Sequence, residues 1–360
     1  MVPPIAAVLV HPFRDRAVTW HQWKSLALVS GMTYQLMRHR LLLLACAVCG
    51  ASALTTERAL APFTQVHVGS CFPLSVRVAA SSGGYSVSVT APESVQSLLV
   101  STVRDGELFL SVATPGFTTS AALALTVYLP EGQLRSLTHD GGGGVWVSLT
   151  PAADFTLVAS GQGWADVAAA PLPGGDVTVS LTGQAPVTFC APQPTRVRSL
   201  SLSLSGTADL RTHNLDASQG LTAQLPGMGQ LTASGAPSAY ASLSLRGSGS
   251  ISAATDSADV ALSGMGDIFV TGADAITGSL SGMGHVYYSP SGTSCTVSGF
   301  GMGGCSYGPP PQPRLSCDSH DVDADNRGGW DVQVSPSGSS CQAHKPAMQT
   351  LQSIVTSVLA

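Results

Sequence analysis

Eight times between residues 161 and 303 the chain repeats one phrase: a short alternating run, a glycine corner, then a second short apolar run. Six copies carry Gly-x-Gly, at Gly161 and Gly163, Gly227 and Gly229, Gly247 and Gly249, Gly264 and Gly266, Gly282 and Gly284, and Gly301 and Gly303. Two further copies, Leu181-Thr182-Gly183-Gln184 and Leu204-Ser205-Gly206-Thr207, keep a single glycine. Successive copies lie 17 to 23 residues apart, the length of one solenoid coil. A unit this short shelters little apolar surface by itself, so a stable core requires neighbouring coils to stack. The runs between corners alternate, with Leu200, Leu202 and Leu204 to one side and Ser201 and Ser203 to the other. Glycine suits the corners because it reaches φ > 0 without steric cost and lets adjacent backbones approach closely.

The section before the repeat, from Phe63 to about Leu129, also alternates at period two, with turn signals at Gly83-Gly84, Asp105-Gly106 and Pro130-Glu131-Gly132. Such a pattern predicts strands and tight turns rather than helices. The expected fold is all-β: a parallel β-helix or solenoid of stacked short strands, preceded by a strand-rich N-terminal section. Charged residues are only 10% of the chain, whereas 44% is hydrophobic, enough for a packed core. Lysine occurs only at Lys24 and Lys345, and the net charge is −5. Nucleic-acid binding needs clustered Lys and Arg to neutralise phosphates, so that class is excluded.

Several phrases occur in an order that resembles the head GIN domain of the putative auto-transporter adhesins. They are Phe63-Thr64-Gln65-Val66-His67-Val68, then Val103-Arg104-Asp105-Gly106-Glu107-Leu108-Phe109-Leu110, then Thr126-Val127-Tyr128-Leu129-Pro130-Glu131, and Leu134-Arg135-Ser136-Leu137 ahead of the glycine repeats. The resemblance covers roughly residues 63–288. It implies a β-helical domain of secreted proteins with no catalytic residues to carry over. The family's corners typically read Gly-Ser-Gly-Asp, while this chain often has Gly-Met-Gly, and only Gly266-Asp267 keeps the acidic residue.

The flanks point to export. Basic Arg38-His39-Arg40, the apolar run Leu41 to Val48 and the small-x-small site Ala51-Ser52-Ala53 describe a secretory signal peptide over 37–53. Residues 1–36 then read as an upstream extension, although a buried apolar helix or a signal anchor are other readings of this segment. The solenoid domain is expected over 54–308, a Pro-rich linker over 309–316, and a small Cys-containing tail over 317–360. In that tail Met348, Leu351, Val355 and Val358 have helical spacing, which suggests a helix capping the solenoid end, and a removed GPI signal is the alternative. Beyond the signal segment six cysteines remain (Cys71, Cys190, Cys295, Cys305, Cys317, Cys341), which fits disulfides in an oxidising compartment without choosing among the 15 pairings.

Candidate chemistry is sparse. Asp and Arg residues of the repeat are scattered among turns, and Asp209 with Arg211 is the pair on one strand face. The tail's Asp321, Asp323 and Asp325 alternate as in a calcium loop, but Val332 stands where a bidentate Glu belongs, leaving a weak Ca²⁺ site or a solvated acidic turn. No other cofactor is expected. The histidines, His139 and His213 among them, are expected at turns or on the surface, with His139-Asp140 forming a flexible corner. Met228, Met265, Met283 and Met302 sit between the corner glycines and are expected to pack there or in the core. A metal-binding methionine stripe would want companion ligands, which the sequence does not place beside them. The reading is a non-catalytic scaffold, secreted or on the cell surface, offering a Ser/Thr-rich face to glycans, matrix or a surface protein, with a membrane tether open. Alternatives are a carbohydrate-active β-helix enzyme and a wall or envelope element without a specific ligand.

Overall fold

Alternation at period two puts every second side chain on one face of an extended backbone, and this chain buries that face almost without interruption. The computed structural model describes residues 53–69, 72–114, 116–290, 292–308, 330–334 and 341–344, all within one compact unit over 52–360. Of the described residues 59% are strand and 2% helix, with a parallel β-solenoid of about nine turns. Glu93–Gln96 is the helix among the described residues.

Each coil contributes one strand to each of two long parallel ladders. The first ladder runs through Ser136–His139, Phe155–Ala159, Asp176–Leu181 and the C-terminal ends of Val187–Leu204 and Leu210–Leu225. It continues through Ala241–Leu245, Ser257–Leu262, Ala275–Leu280 and Ser294–Ser298. The second ladder runs from Val145–Val147 through Ala165–Val167 and on to Val286–Ser289 and Cys305–Tyr307. Register keeps like residues over like. One inward column of the first ladder reads Ala159, Leu181, Leu204, with Leu225, Leu245 and Leu262 further along, all buried. Burying each such leucine contributes roughly 1.5–3 kcal/mol, and only stacking supplies that burial.

The N-terminal section closes the start of the stack with antiparallel strands. Leu54–Ala59 pairs with Ser86–Ala91, which pairs in turn with Ala124–Leu129, and Leu99–Arg104 pairs with Glu107–Val112. Two early strands, Gln65–Val68 and Val76–Ala80, lie between this cap and the first repeat coil. They pair in parallel with both sides. At the far end Cys295 and Cys305 form a disulfide that ties the last strands of the two ladders together.

The corners run in glycine columns. A Cβ placed on Gly247, Gly264 or Gly282 would stand 1.6, 1.9 or 1.9 Å from the carbonyl oxygen of the preceding coil's corner glycine. None of the Gly-x-Gly corner glycines has a positive φ. Close approach between coils is what demands glycine here, and the left-handed conformation expected at these corners is not used. In the two single-glycine copies Ala185 and Ala208 stand where the second glycine would be, two residues before the strands that pair through Val187 and Leu210.

Trp330–Val334 forms an antiparallel sheet with Gly116–Thr119 and Cys341–His344, and Val332 is buried. These two tail strands thus join the N-terminal section. The signal segment, Asp321, Asp323, Asp325 and the helical spacing over 348–358 lie outside the described residues.

Candidate functional site

The outward positions of the first ladder form columns of hydroxyls. Thr156, Thr178, Ser201, Thr222 and Ser242 stand over one another, and Ser180 over Ser203 lies two residues further along each strand. The inward leucines hold this register, so the hydroxyl spacing follows from the core. None of these side chains makes a hydrogen bond among the described residues, which leaves their donors and acceptors facing solvent. The columns are nearly free of charge: Asp259 is the acidic interruption between Ser242 and Thr277. Each rung therefore offers hydroxyls at a repeat of about 4.8 Å along the stack.

Charges gather at the margins instead. Arg198 Nε donates to Asp176 Oδ1 at 2.8 Å, its Nη2 also reaches Asp176, and Ser199 Oγ donates to the same carboxylate at 2.7 Å. The Arg198 hydrogen bonds, then that of Ser199, hold the Asp176 carboxyl down to about 2. Asp154 joins from the next coil, 3.7 Å from Arg198 and accepting from the Asp176 amide at 3.0 Å. Arg196 meets Asp216 at 3.4 Å, and Arg211 meets Asp209 at 2.6 Å. These carboxylates are matched to their own arginines on separate sides of the coil, Asp209 and Arg211 by the second ladder and Asp176 at the edge of the first. Among the described residues, no three His, Cys, Asp or Glu side chains gather as a metal site.

Two features were not foreseen. His67 bridges Asp140 at 3.0 Å and Glu107 at 3.5 Å, and Ser160 Oγ donates to Asp140 at 2.5 Å, linking three coils at the start of the stack. His139, expected at a surface corner, is fully buried in the inward column between Val68 and Ala159. Its Nε2 donates to Gly163 O at 3.1 Å while Nδ1 has no partner among the described residues, and burial lowers its pKa. The alternation itself carried the signal, because Leu137 and His139 share one parity. The methionines also depart from expectation, being 52–65% exposed at Met228, Met265 and Met283 and 79% at Met302. An open depression of about 520 Å³ in the N-terminal section is lined by Glu57, Ser81, Ser86, Ser88 and Tyr128. Glu57 there accepts from Ser86 at 2.8 Å.

A family model described as "Putative auto-transporter adhesin, head GIN domain" matches residues 62–292. Among solved structures, a putative adhesin from Parabacteroides distasonis ATCC 8503 is 17% identical, with 70% of this chain and 95% of that chain covered at a TM-score of 0.51. A putative adhesin from Bacteroides fragilis NCTC 9343 is also 17% identical, covering 70% and 95% at 0.45. A putative lipid binding protein from Parabacteroides distasonis is 19% identical, covering 71% and 98% at 0.43. At 17% identity, the first of these likenesses speaks to the fold alone. No curated protein matches the chain.

Proposed function

Because the chain belongs to the head GIN domain family of putative auto-transporter adhesins, we propose that it is a non-catalytic adhesion module, secreted or displayed on the cell surface. Its first ladder is the contact face. The observation that carries this reading is the set of in-register, unpaired hydroxyl columns from Thr156 to Ser242. A rigid row of weak hydrogen-bonding groups at a fixed repeat favours neutral polymers such as glycans, where many small contacts add through effective concentration. Disulfides fit an oxidising compartment, and both Cys190 and the Cys295–Cys305 pair are disulfide-bonded.

The test is binding of the full chain to a glycan array and to immobilised matrix polymers, beside the double variant Ser201→Lys with Thr222→Lys. Both side chains point outward, so each site alone should change stability by no more than about 0.5 kcal/mol. The two lysines stand over one another, so repulsion costs about 0.2–1 kcal/mol more, and a thermal melt checks that the double variant is folded. The reading expects binding to a neutral polymer that the double variant loses. Binding that survives the two lysines, or no binding to any polymer, overturns it.

A further inference from the structure

One side chain per coil projects from between the corner columns. Along the stack this position holds Gln162, Gln184, Thr207, Met228, Ser248, Met265, Met283 and Met302, every one exposed. Polar residues occupy it as readily as methionine, so packing does not select the thioether. Yet three consecutive coils carry it. Their amides are locked in register, Met265 N donating to Gly247 O at 3.1 Å, Met283 N to Gly264 O at 3.0 Å and Met302 N to Gly282 O at 3.0 Å.

We propose that Met265, Met283 and Met302, exposed on consecutive coils so that each is the companion ligand the others would otherwise want, form a binding site for a soft monovalent metal ion, Cu(I) or Ag(I). Thioethers are soft, neutral donors that favour such ions over hard cations, which seek carboxylates and carbonyls. A metal–sulfur bond of roughly 2.3 Å puts two sulfurs on one ion about 4–4.6 Å apart. The coils repeat at about 4.8 Å, so the backbones of adjacent methionines start near that span, while Met265 and Met302, two coils or about 9.6 Å apart, must lean inward toward Met283. Three rotatable bonds per side chain let the third sulfur close on the same ion. The cysteines of this stretch offer no competing thiolate, since Cys295 and Cys305 are joined to each other. A thioether carries no proton to lose, so binding here should not vary between about pH 5 and 8, unlike binding at a His or Cys site.

The probe is Ag(I), which needs no reductant, titrated into the full chain labelled with ¹³C at the methionine methyl groups, with native mass spectrometry for stoichiometry. Cu(I) under anaerobic conditions is the second probe. The expected result is one retained ion, with methyl shifts at Met265, Met283 and Met302 and none at Met228, which the Ser248 coil separates from the set. The triple variant M265L/M283L/M302L keeps the apolar ridge and removes the sulfurs, and it should retain no ion. Shifts that include Met228 equally, binding without saturation at one ion, or equal binding by the triple variant each overturn the proposal. Methyl shifts in the labelled native chain test the site even if the variant were to misfold.

Discussion

At the scale of single residues, the corner glycines and two titrating groups carry the sharpest consequences. An added Cβ at Gly264 or Gly266 would lie 1.9 or 1.7 Å from a backbone carbonyl oxygen, while one at Gly84 meets nothing within 4 Å. Gly264→Ala and Gly266→Ala should each lower the urea unfolding free energy by about 1–3 kcal/mol or more as coils are pushed apart. Gly84→Ala should leave it nearly unchanged, and equal effects at all three positions would contradict the close-approach argument. His139 is held neutral in the core, with its folded pKa below 6.5. The folded state then takes up a proton less readily than the unfolded chain, so its stability is complete above about pH 6.5 and declines as pH falls below that. His139→Leu should remove this decline, and parallel stability profiles for variant and native chain between pH 7 and about pH 5 would contradict it. Asp176 has the same sign at lower pH, its stabilisation being present above 3.8 and lost as pH falls through about 2. Arg198→Ala should raise the Asp176 carboxyl towards 3.8 in an NMR titration.

At the scale of elements, the strands were legible and their partners only partly so. Alternation named the inward Leu200, Leu202 and Leu204 correctly, because burial of one parity is what a half-buried strand means. Period two does not say which strand lies alongside. For that reason the insertion of Gln65–Val68 and Val76–Ala80 between the antiparallel cap and the first coil, and the docking of Trp330–Val334 on Gly116–Thr119, were not readable. Residue type and alternation disagreed at His139, where type suggested the surface and parity indicated the core. The Met positions failed for a different reason. An apolar residue between two glycines looks like corner filling, but the corner backbones stack so closely that its side chain can only point outward. The hydroxyl columns were implied by Ser201 and Ser203 in sequence, but their alignment over successive coils required the register.

At the scale of the whole stack, stability should be spread as in other solenoids, each coil resting on its neighbours. The start is closed by antiparallel pairs, whereas Cys295 and Val297 of the last coil are only partly buried. Amide hydrogen exchange should therefore be slowest across 177–225 and fastest in Ser294–Ser298, with the Cys295–Cys305 bond limiting the fraying. Uniform protection from first coil to last would contradict this gradient.

Every functional inference depends on in-register parallel stacking, which distances between spin labels measure most directly. Labels at Thr156 and Ser242 span four coil steps, those at Thr156 and Thr277 six, and those at Thr156 and Thr296 seven. Parallel stacking predicts mean separations of about 19, 29 and 34 Å, a rise of about 4.8 Å per coil. Separations that do not grow in proportion to the number of coils would contradict the stacked solenoid and, with it, both the hydroxyl face and the methionine row.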